Sequence, residues 1–253
     1  MNLHFDCTQC GKCCQGLRLT LSVDEAIVWA GRGHTVQLLV EALPWPPAPN
    51  DDPARALHDE NRSFPAMSGS ISLRVAVVLA AHHEGGCPHL QPDLRCGNYE
   101  ERPRICRIYP LESKPFTPVS PARRLCPPEA WTPDRPLLMH GETIADAGAA
   151  QIVADHRSTI IADTPRVALA CETLGTDRAA FANEGLAVHQ PSPAALTEAL
   201  REARDVTLRN VSERSWTIVS NRRSTLSLLQ DAGCEARLIR RGADYLGSFE
   251  DEA

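Results

Sequence analysis

Aromatic residues make up only 5% of this chain, which leaves little material for a platform that stacks single-stranded bases. An excess of positive charge is missing too. The formal net charge is −6, whereas a general nucleic-acid binder needs a basic surface for its phosphate contacts. Long apolar runs are absent. The longest, residues 75–81, has the length of a strand or short helix and falls far below the roughly 20 residues of a membrane span. The opening MNLHFDCTQCGKCC has no basic stretch followed by an apolar one, so no targeting segment is read there. These absences lead to the expectation of a cytoplasmic protein with neither nucleic-acid nor membrane partners. Enzyme fingerprints are lacking as well. There is no P-loop, no G-x-G-x-x-G after a strand, no G-x-S-x-G elbow and no C-x₃-C-x₂-C run of radical S-adenosylmethionine enzymes. No carboxylate pair stands out as an acid/base couple, and Glu250-Asp251-Glu252 reads as a solvated acidic tail.

Cysteine, by contrast, is abundant. Four of the ten thiols, Cys7, Cys10, Cys13 and Cys14, lie within eight residues. Cys87, Cys96, Cys106 and Cys126 form a second, wider group, and Cys171 and Cys234 stand alone. Disulfides rarely persist in the cytoplasm, so dense cysteines there point to a metal.

Prolines divide the chain: 17 of the 20 fall between Pro44 and Pro136. Proline removes a backbone donor and breaks helices, so this region reads as loop-rich. Metal ligation can supply the folding energy that such a region lacks. The fold class expected is therefore α+β. A loop-rich, metal-stabilised cysteine-cluster domain at 1–136 precedes a smaller α+β region at 137–253. Within this frame, 17–21 reads as a strand and Ser22 or Asp24 caps a helix through Ala30. Residues 35–43 fit strand or helix, 45–53 a loop, and 71–81 one strand or two. In the second half, 142–161, 165–174, 177–183, 193–204 and 222–232 read as helices, the fourth capped by Ser192 with Pro193 at its first position. Residues 186–189, 215–220 and 235–239 read as strands.

The x₂ spacing of Cys7, Cys10 and Cys13 can turn three thiolates toward one centre, as the ferredoxin run does for a [4Fe–4S] cube. Gly11 assists, since it accepts positive φ. Cys14 follows Cys13 directly, and adjacent side chains point apart in extended chain, so the two do not readily close one mononuclear site. Two metal centres or one polynuclear centre remain, and spacing does not assign the thiols between them. Structural zinc usually takes two C-x₂-C knuckles, whereas only the first group here has that spacing. Iron or an iron–sulfur cluster is the favoured reading and zinc the alternative. Lys12, Arg95, Arg102, Arg104, Arg107, Arg123 and Arg124 lie near cysteines in sequence and can offset thiolate charge or stay solvated. His4, His82, His83 and His89 are secondary ligand candidates. Cys171, in VALACETL, reads as a core residue, and Cys234 as a thiol at a helix end.

The segments FDCTQCGKCC, GGCPHLQPDLRCGNYEERPRICRIYP and LCPP resemble the CxxCxxCC (YkgJ-type) family of cysteine-cluster proteins, described as chelating zinc or iron. The resemblance runs from Phe5 to about Pro127. It implies a metal-binding module with Cys7, Cys10, Cys13, Cys14, Cys87, Cys96 and Cys106 as ligands and Cys126 as an eighth. Tyr99, Arg102, Pro103, Arg107, Tyr109 and Pro110 match its framing residues, and the two tyrosine rings are expected to shield the cluster from water. Some proteins similar to this family methylate flagellin lysines, but the matching residues here carry no substrate site. Three functions follow: an iron–sulfur protein serving redox or accessory modification chemistry, a zinc-stabilised interaction module, and a protein lysine N-methylase-like enzyme by analogy. A protein partner, if bound, is expected on the C-terminal region.

Overall fold

The computed structural model describes residues 2–16, 18–204 and 213–252, and they form an α+β protein. The strands are β1 (Asn2–His4), β2 (Leu19–Leu21), β3 (Val36–Pro44), β4 (Ser63–Ser68), β5 (Ile71–Ala81), β6 (Leu137–His140), β7 (Thr143–Ile144), β8 (Arg178–Phe181), β9 (Gly185–His189), β10 (Thr217–Ser220), β11 (Ala236–Leu238) and β12 (Tyr245–Gly247). The helices are α1 (Val23–Gly31), α2 (Pro53–Asn61), α3 (Arg104–Ile108), α4 (Ala147–Thr173), α5 (Pro193–Glu202) and α6 (Arg223–Asp231). The chain forms two compact units, each built from two stretches. One joins Met1–Leu21 to His82–Thr159, and the other joins Ser22–Ala81 to Ile160–Ala253.

The second unit is organised on β3 and β5, whose β-branched and apolar residues pair antiparallel from Val36–Ala81 to Pro44–Leu73. β8 runs parallel to β3, β10 parallel to β8, and β11 parallel to β10. β4 pairs antiparallel with β5, β9 with β3, and β12 with β9. Leu38, Val40, Val75, Leu196, Leu200, Trp216 and Ile218 are buried in this unit. Helix starts follow local chemistry. Ser22 and Glu25 form a capping box: Ser22 Oγ accepts from Glu25 N–H at 3.3 Å and Glu25 Oε2 accepts from Ser22 N–H at 2.8 Å. Ser192 Oγ accepts from Ala195 N–H, with Pro193 opening α5.

The first unit has less regular structure. β1 pairs with β6 and β6 with β7. Ile108, Leu111, Leu138, Met139 and Val153 form its small core, with Leu3, Phe5, Val119 and Ile152 packed at the edge.

Several expectations are corrected. Residues 177–183, read as a helix from their alanines, contain the strand β8 instead. Ala179 and Ala180 are fully buried between β3 and β10, and sheet position overrides the modest helix preference of alanine. The separate helices read at 142–161 and 165–174 are one helix, α4, with Pro165 inside it, and Thr143–Ile144 at the start of the first forms the strand β7 instead, paired with β6. Proline forfeits one ladder bond, but the adjoining turn is held from outside. Asp163 Oδ2 accepts from Val23 N–H at 2.7 Å, and Arg166 pairs with both Asp163 and Asp24. The loop read at 45–53 ends one residue early, because Asp52 caps α2 and Pro53 opens it. Residues 35–43 resolve as strand, and 71–81 as a single strand. Leu17, the first residue of the strand expected at 17–21, lies outside the described residues.

A pH prediction arises in β9. His189 is half-buried, and its Nε2 donates to the Arg178 carbonyl at 2.8 Å. Burial is the main cause that holds its pKa below the usual 6.5, despite the upward pull of that bond; the Arg178 charge adds to the lowering. A base whose pKa is depressed on folding resists a proton that the unfolded chain accepts. Stability is therefore unaffected well above pH 6.5 and falls as pH drops through that value. Thermal melts at pH 7.5 and 5.5 should show a smaller acid loss for His189→Gln than for the wild type. Equal losses would refute the assignment.

Candidate metal centre

The eight clustered cysteines all lie in the first unit, carried on tight turns rather than long elements. Lys12–Cys14 forms one 3₁₀ turn, started by Gly11 at φ 68°. A Cβ on Gly11 would collide with the Leu94 carbonyl oxygen, so both the backbone angle and the close approach require glycine. Leaving this turn, Gln15 bridges antiparallel to Gly86, and Cys87 N–H donates to the Cys14 carbonyl at 2.7 Å. Beyond Cys87 the chain folds back on itself: Leu90 N–H donates to the Cys87 carbonyl, Leu90 bridges to Cys96, and Gly97 N–H donates to the His89 carbonyl at 2.7 Å. Cys106 sits in α3, its N–H donating to the Pro103 carbonyl at 2.9 Å. Elsewhere, Asp6 N–H donates to the Ala130 carbonyl at 3.0 Å and the Phe5 ring lies 4.8 Å from that of Trp131. These contacts tie the start of the cysteine run to the loop that follows Cys126.

Electrostatics show which thiols feel one another. Cys13 and Cys14 are hydrogen-bonded through their side chains, which lowers the pKa of Cys13 and strongly raises that of Cys14. Cys106 is pushed up to about 12, by burial first and then by Cys87, Cys14 and Cys96, while Arg102 pulls it down. Cys126 is pushed up to about 11 by burial and by Cys10 and Cys7, against the Tyr109 hydroxyl and Arg124. Burial also raises Cys87, opposed by a backbone hydrogen bond from His89.

The framing residues contribute polar contacts. The Tyr99 and Tyr109 hydroxyls bond to Cys7 and Cys126, polar contacts that the expectation of ring shielding did not include. Tyr109 Oη also accepts from Leu125 N–H at 2.8 Å, which fixes the residue next to Cys126. The Arg102 guanidinium lies 3.5 Å from the centre of the Tyr99 ring, and its Nε donates to the Tyr99 carbonyl at 2.7 Å. Arg124 pairs with Glu112 at 2.5 Å and stands over Tyr109. Of the other cations expected near sulfur, Arg104 donates to Thr159 and Arg95 pairs with Asp93. His4 Nδ1 is engaged by the Arg135 carbonyl at 2.7 Å and His83 Nδ1 by that of Gly85. Cys171 is fully buried in the second unit, as a core residue should be. Cys234 is half-buried, and burial raises its pKa, contrary to a reactive thiol. The signals that sequence reasoning missed are the Tyr109–Leu125 bond and the Gly11–Leu94 approach, both of which depend on contacts between distant segments.

Among the described residues, no three His, Cys, Asp or Glu side chains already converge closely enough to hold a metal ion. The thiols are gathered without being closed on a point. The donor set nonetheless fits a thiophilic metal. All ten cysteines are free, seven of the eight clustered thiols are half-buried, and the thiolates raise one another's pKa. A cation relieves that repulsion. Arg124 Nε is buried without a hydrogen-bond partner among the described residues, close to Cys126, and offers a further donor to sulfur. No helix among the described residues is long and apolar enough to cross a membrane.

Residues 6–127 match the model of the CxxCxxCC family, described as a "Putative zinc- or iron-chelating domain". No curated protein and no solved structure matches the chain.

Proposed function

Because residues 6–127 constitute a CxxCxxCC domain, we propose that this chain is a cytoplasmic iron–sulfur protein serving redox or accessory modification chemistry. The observation that carries the reading is the gathering of Cys7, Cys10, Cys13, Cys14, Cys87, Cys96, Cys106 and Cys126 in one unit, where they perturb one another electrostatically. An iron–sulfur cluster bound there supplies one-electron chemistry. The chain's own residues hold its ligands: the 3₁₀ turn orients Cys13 and Cys14, Tyr109 fixes Cys126, and Arg102 moderates the charge at Cys14 and Cys106. A reducing compartment keeps the thiols available. The region beyond residue 136 is the proposed contact for a protein partner.

Anaerobic purification tests the reading. Iron, acid-labile sulfide and broad absorbance at about 400 nm are the expected result. A colourless protein with stoichiometric zinc would overturn it and favour the zinc-stabilised module. Cys10→Ser should lower bound metal, whereas Cys171→Ser, in the core of the other unit, should leave it unchanged. Equal metal content in the two variants would refute the ligand assignment.

A further inference from the structure

The acidic run Glu250-Asp251-Glu252, expected to be solvated, is so mainly at its first residue. The Glu250 side chain is 85% exposed, whereas those of Asp251 and Glu252 are 35% and 37% exposed and engaged by other elements. Helix α6 shows what they do there. Its N-cap is Arg222, which makes no side-chain cap bond, and its first turn holds no acidic residue. The opening N–H groups of a helix have no partner within it. Here Glu252 supplies one from 29 positions downstream. Its Oε2 accepts from Arg223 N–H at 2.7 Å and from Ser224 N–H at 3.3 Å. Its Oε1 accepts from Ser224 Oγ at 3.4 Å and from Arg222 Nε at 3.5 Å. Negative charge at a helix start is also favoured by the helix dipole. Asp251 works beside it: Oδ1 accepts from Asn221 Nδ2 at 2.9 Å and from Arg241 N–H at 3.0 Å.

We propose that residues 249–252 form a latch that closes over the start of α6 and opens as one piece while the sheet beneath stays folded. The latch lies in the second unit and does not depend on a metal. It has a firm base. Tyr245 in β12 is fully buried, and Ser248 N–H donates to the Glu184 carbonyl at 2.8 Å, so the chain is anchored as far as Ser248. Beyond that point the ties change in kind. The Phe249 ring is exposed, with the Arg222 guanidinium 4.9 Å from its centre, and the Phe249 carbonyl accepts from Asn221 Nδ2 at 2.8 Å. Glu252 N–H donates to the Asn221 carbonyl at 3.2 Å.

These ties are polar or ionic and lie at the surface, where salt screens charge. A segment held by few buried apolar contacts opens at a free energy well below that of the whole domain. Both carboxyls are held below their ordinary values, Asp251 first by the Asn221 side chain and Glu252 first by Ser224 N–H, so the docked state favours their charged forms. Closed, the latch covers Asn221, which is 1% exposed, and sets its carboxylates against Arg222, Arg240 and Arg241. Open, it presents that face as a cationic one. The latch therefore hides or reveals positive charge without unfolding the unit.

Hydrogen exchange resolved at single amides of the full-length protein tests the latch. The Arg223 and Ser224 amides report directly, because Glu252 is their acceptor. At low ionic strength, combining Asp251→Asn with Glu252→Gln should speed exchange at both by at least about tenfold. About 1 M sodium chloride should move the wild type in the same direction. Amides of β3 and β10 should keep their rates, and Glu250→Gln alone should leave Arg223 and Ser224 unchanged. Unaltered exchange at Arg223 and Ser224 in the double variant would show that the carboxylates do not hold the start of α6. An equal rise throughout the second unit would make the segment part of the cooperative core and overturn the latch. If the double variant does not fold, the salt series on the wild type decides by the same two criteria.

Discussion

Stripping the metal with excess chelator is expected to open the cysteine-bearing unit while the other unit keeps its protection. The reason lies in how each unit is held. Among its described residues the first unit has one small core cluster of five buried residues, Ile108, Leu111, Leu138, Met139 and Val153, and its cysteine segments are joined by single turns and isolated bridges. Few of those contacts bury apolar surface, and backbone bonds at the surface stabilise little. Zinc bound by a small cysteine domain contributes roughly 10–16 kcal/mol, comparable with the roughly 5–15 kcal/mol that holds an entire domain. Loss of the metal therefore removes a term as large as the net stability. It also leaves thiols that repel one another when ionised and are costly to ionise while buried. The second unit depends on β3 and β5, paired over nine residue pairs and lined by Leu38, Val40 and Val75, and contains none of the eight thiols. Hydrogen exchange read by mass spectrometry should show at least about a tenfold loss of protection over 86–106 and little change over Val36–Pro44. Equal protection with and without chelator in both regions would show that the metal does not hold the first unit together.

Cysteine spacing made the family pattern legible. The run at Cys7–Cys14 and the segment from Cys87 to Cys106 carry the family pattern in their residue types alone. Helix caps were equally readable, because Ser22 with Glu25, and Ser192 with Pro193, act over three or four residues. What escaped depends on contacts far apart in the chain. Nothing local in the alanine-rich 177–183 announces a strand. That segment is a strand because β3 and β10 flank it. Pro165 looked like a break because the contact from Val23 to Asp163 spans 140 positions. Likewise the pairing of Cys14 with Cys87, and of the Cys7 region with the loop after Cys126, comes from bonds between distant segments that spacing does not encode. The compact units each join two separate stretches for the same reason.

Glu184→Ala is expected to cost the second unit about 3–5 kcal/mol, the range for removing one member of a buried, hydrogen-bonded charge network. Glu184 is 7% exposed and occupies the turn between β8 and β9. Its carboxylate accepts from Ser220 Oγ at 2.5 Å, Thr225 Oγ1 at 2.6 Å and Arg222 at 3.3 Å. Its carbonyl accepts from Ser248 N–H at 2.8 Å and from the Tyr245 hydroxyl at 3.3 Å. One residue thus ties a turn to the end of β10, the first turn of α6 and the β12 segment. Truncation leaves the Ser220 hydroxyl, which is fully buried, without this acceptor, and does the same to the Thr225 hydroxyl. A donor stranded away from water costs more than the net value of its bond. Glu184→Gln keeps one acceptor oxygen and the side-chain volume, so it should fall between wild type and Glu184→Ala. At about 2–4 °C per kcal/mol for a chain of this size, the alanine variant should melt roughly 6–20 °C lower. Glu250→Ala, which removes an exposed partner of Arg241, should barely move the transition. Similar small shifts for Glu184→Ala and Glu250→Ala would mean that solvent replaces the buried network freely. Burial of Ser220, Thr225 and Glu184 itself argues against that outcome.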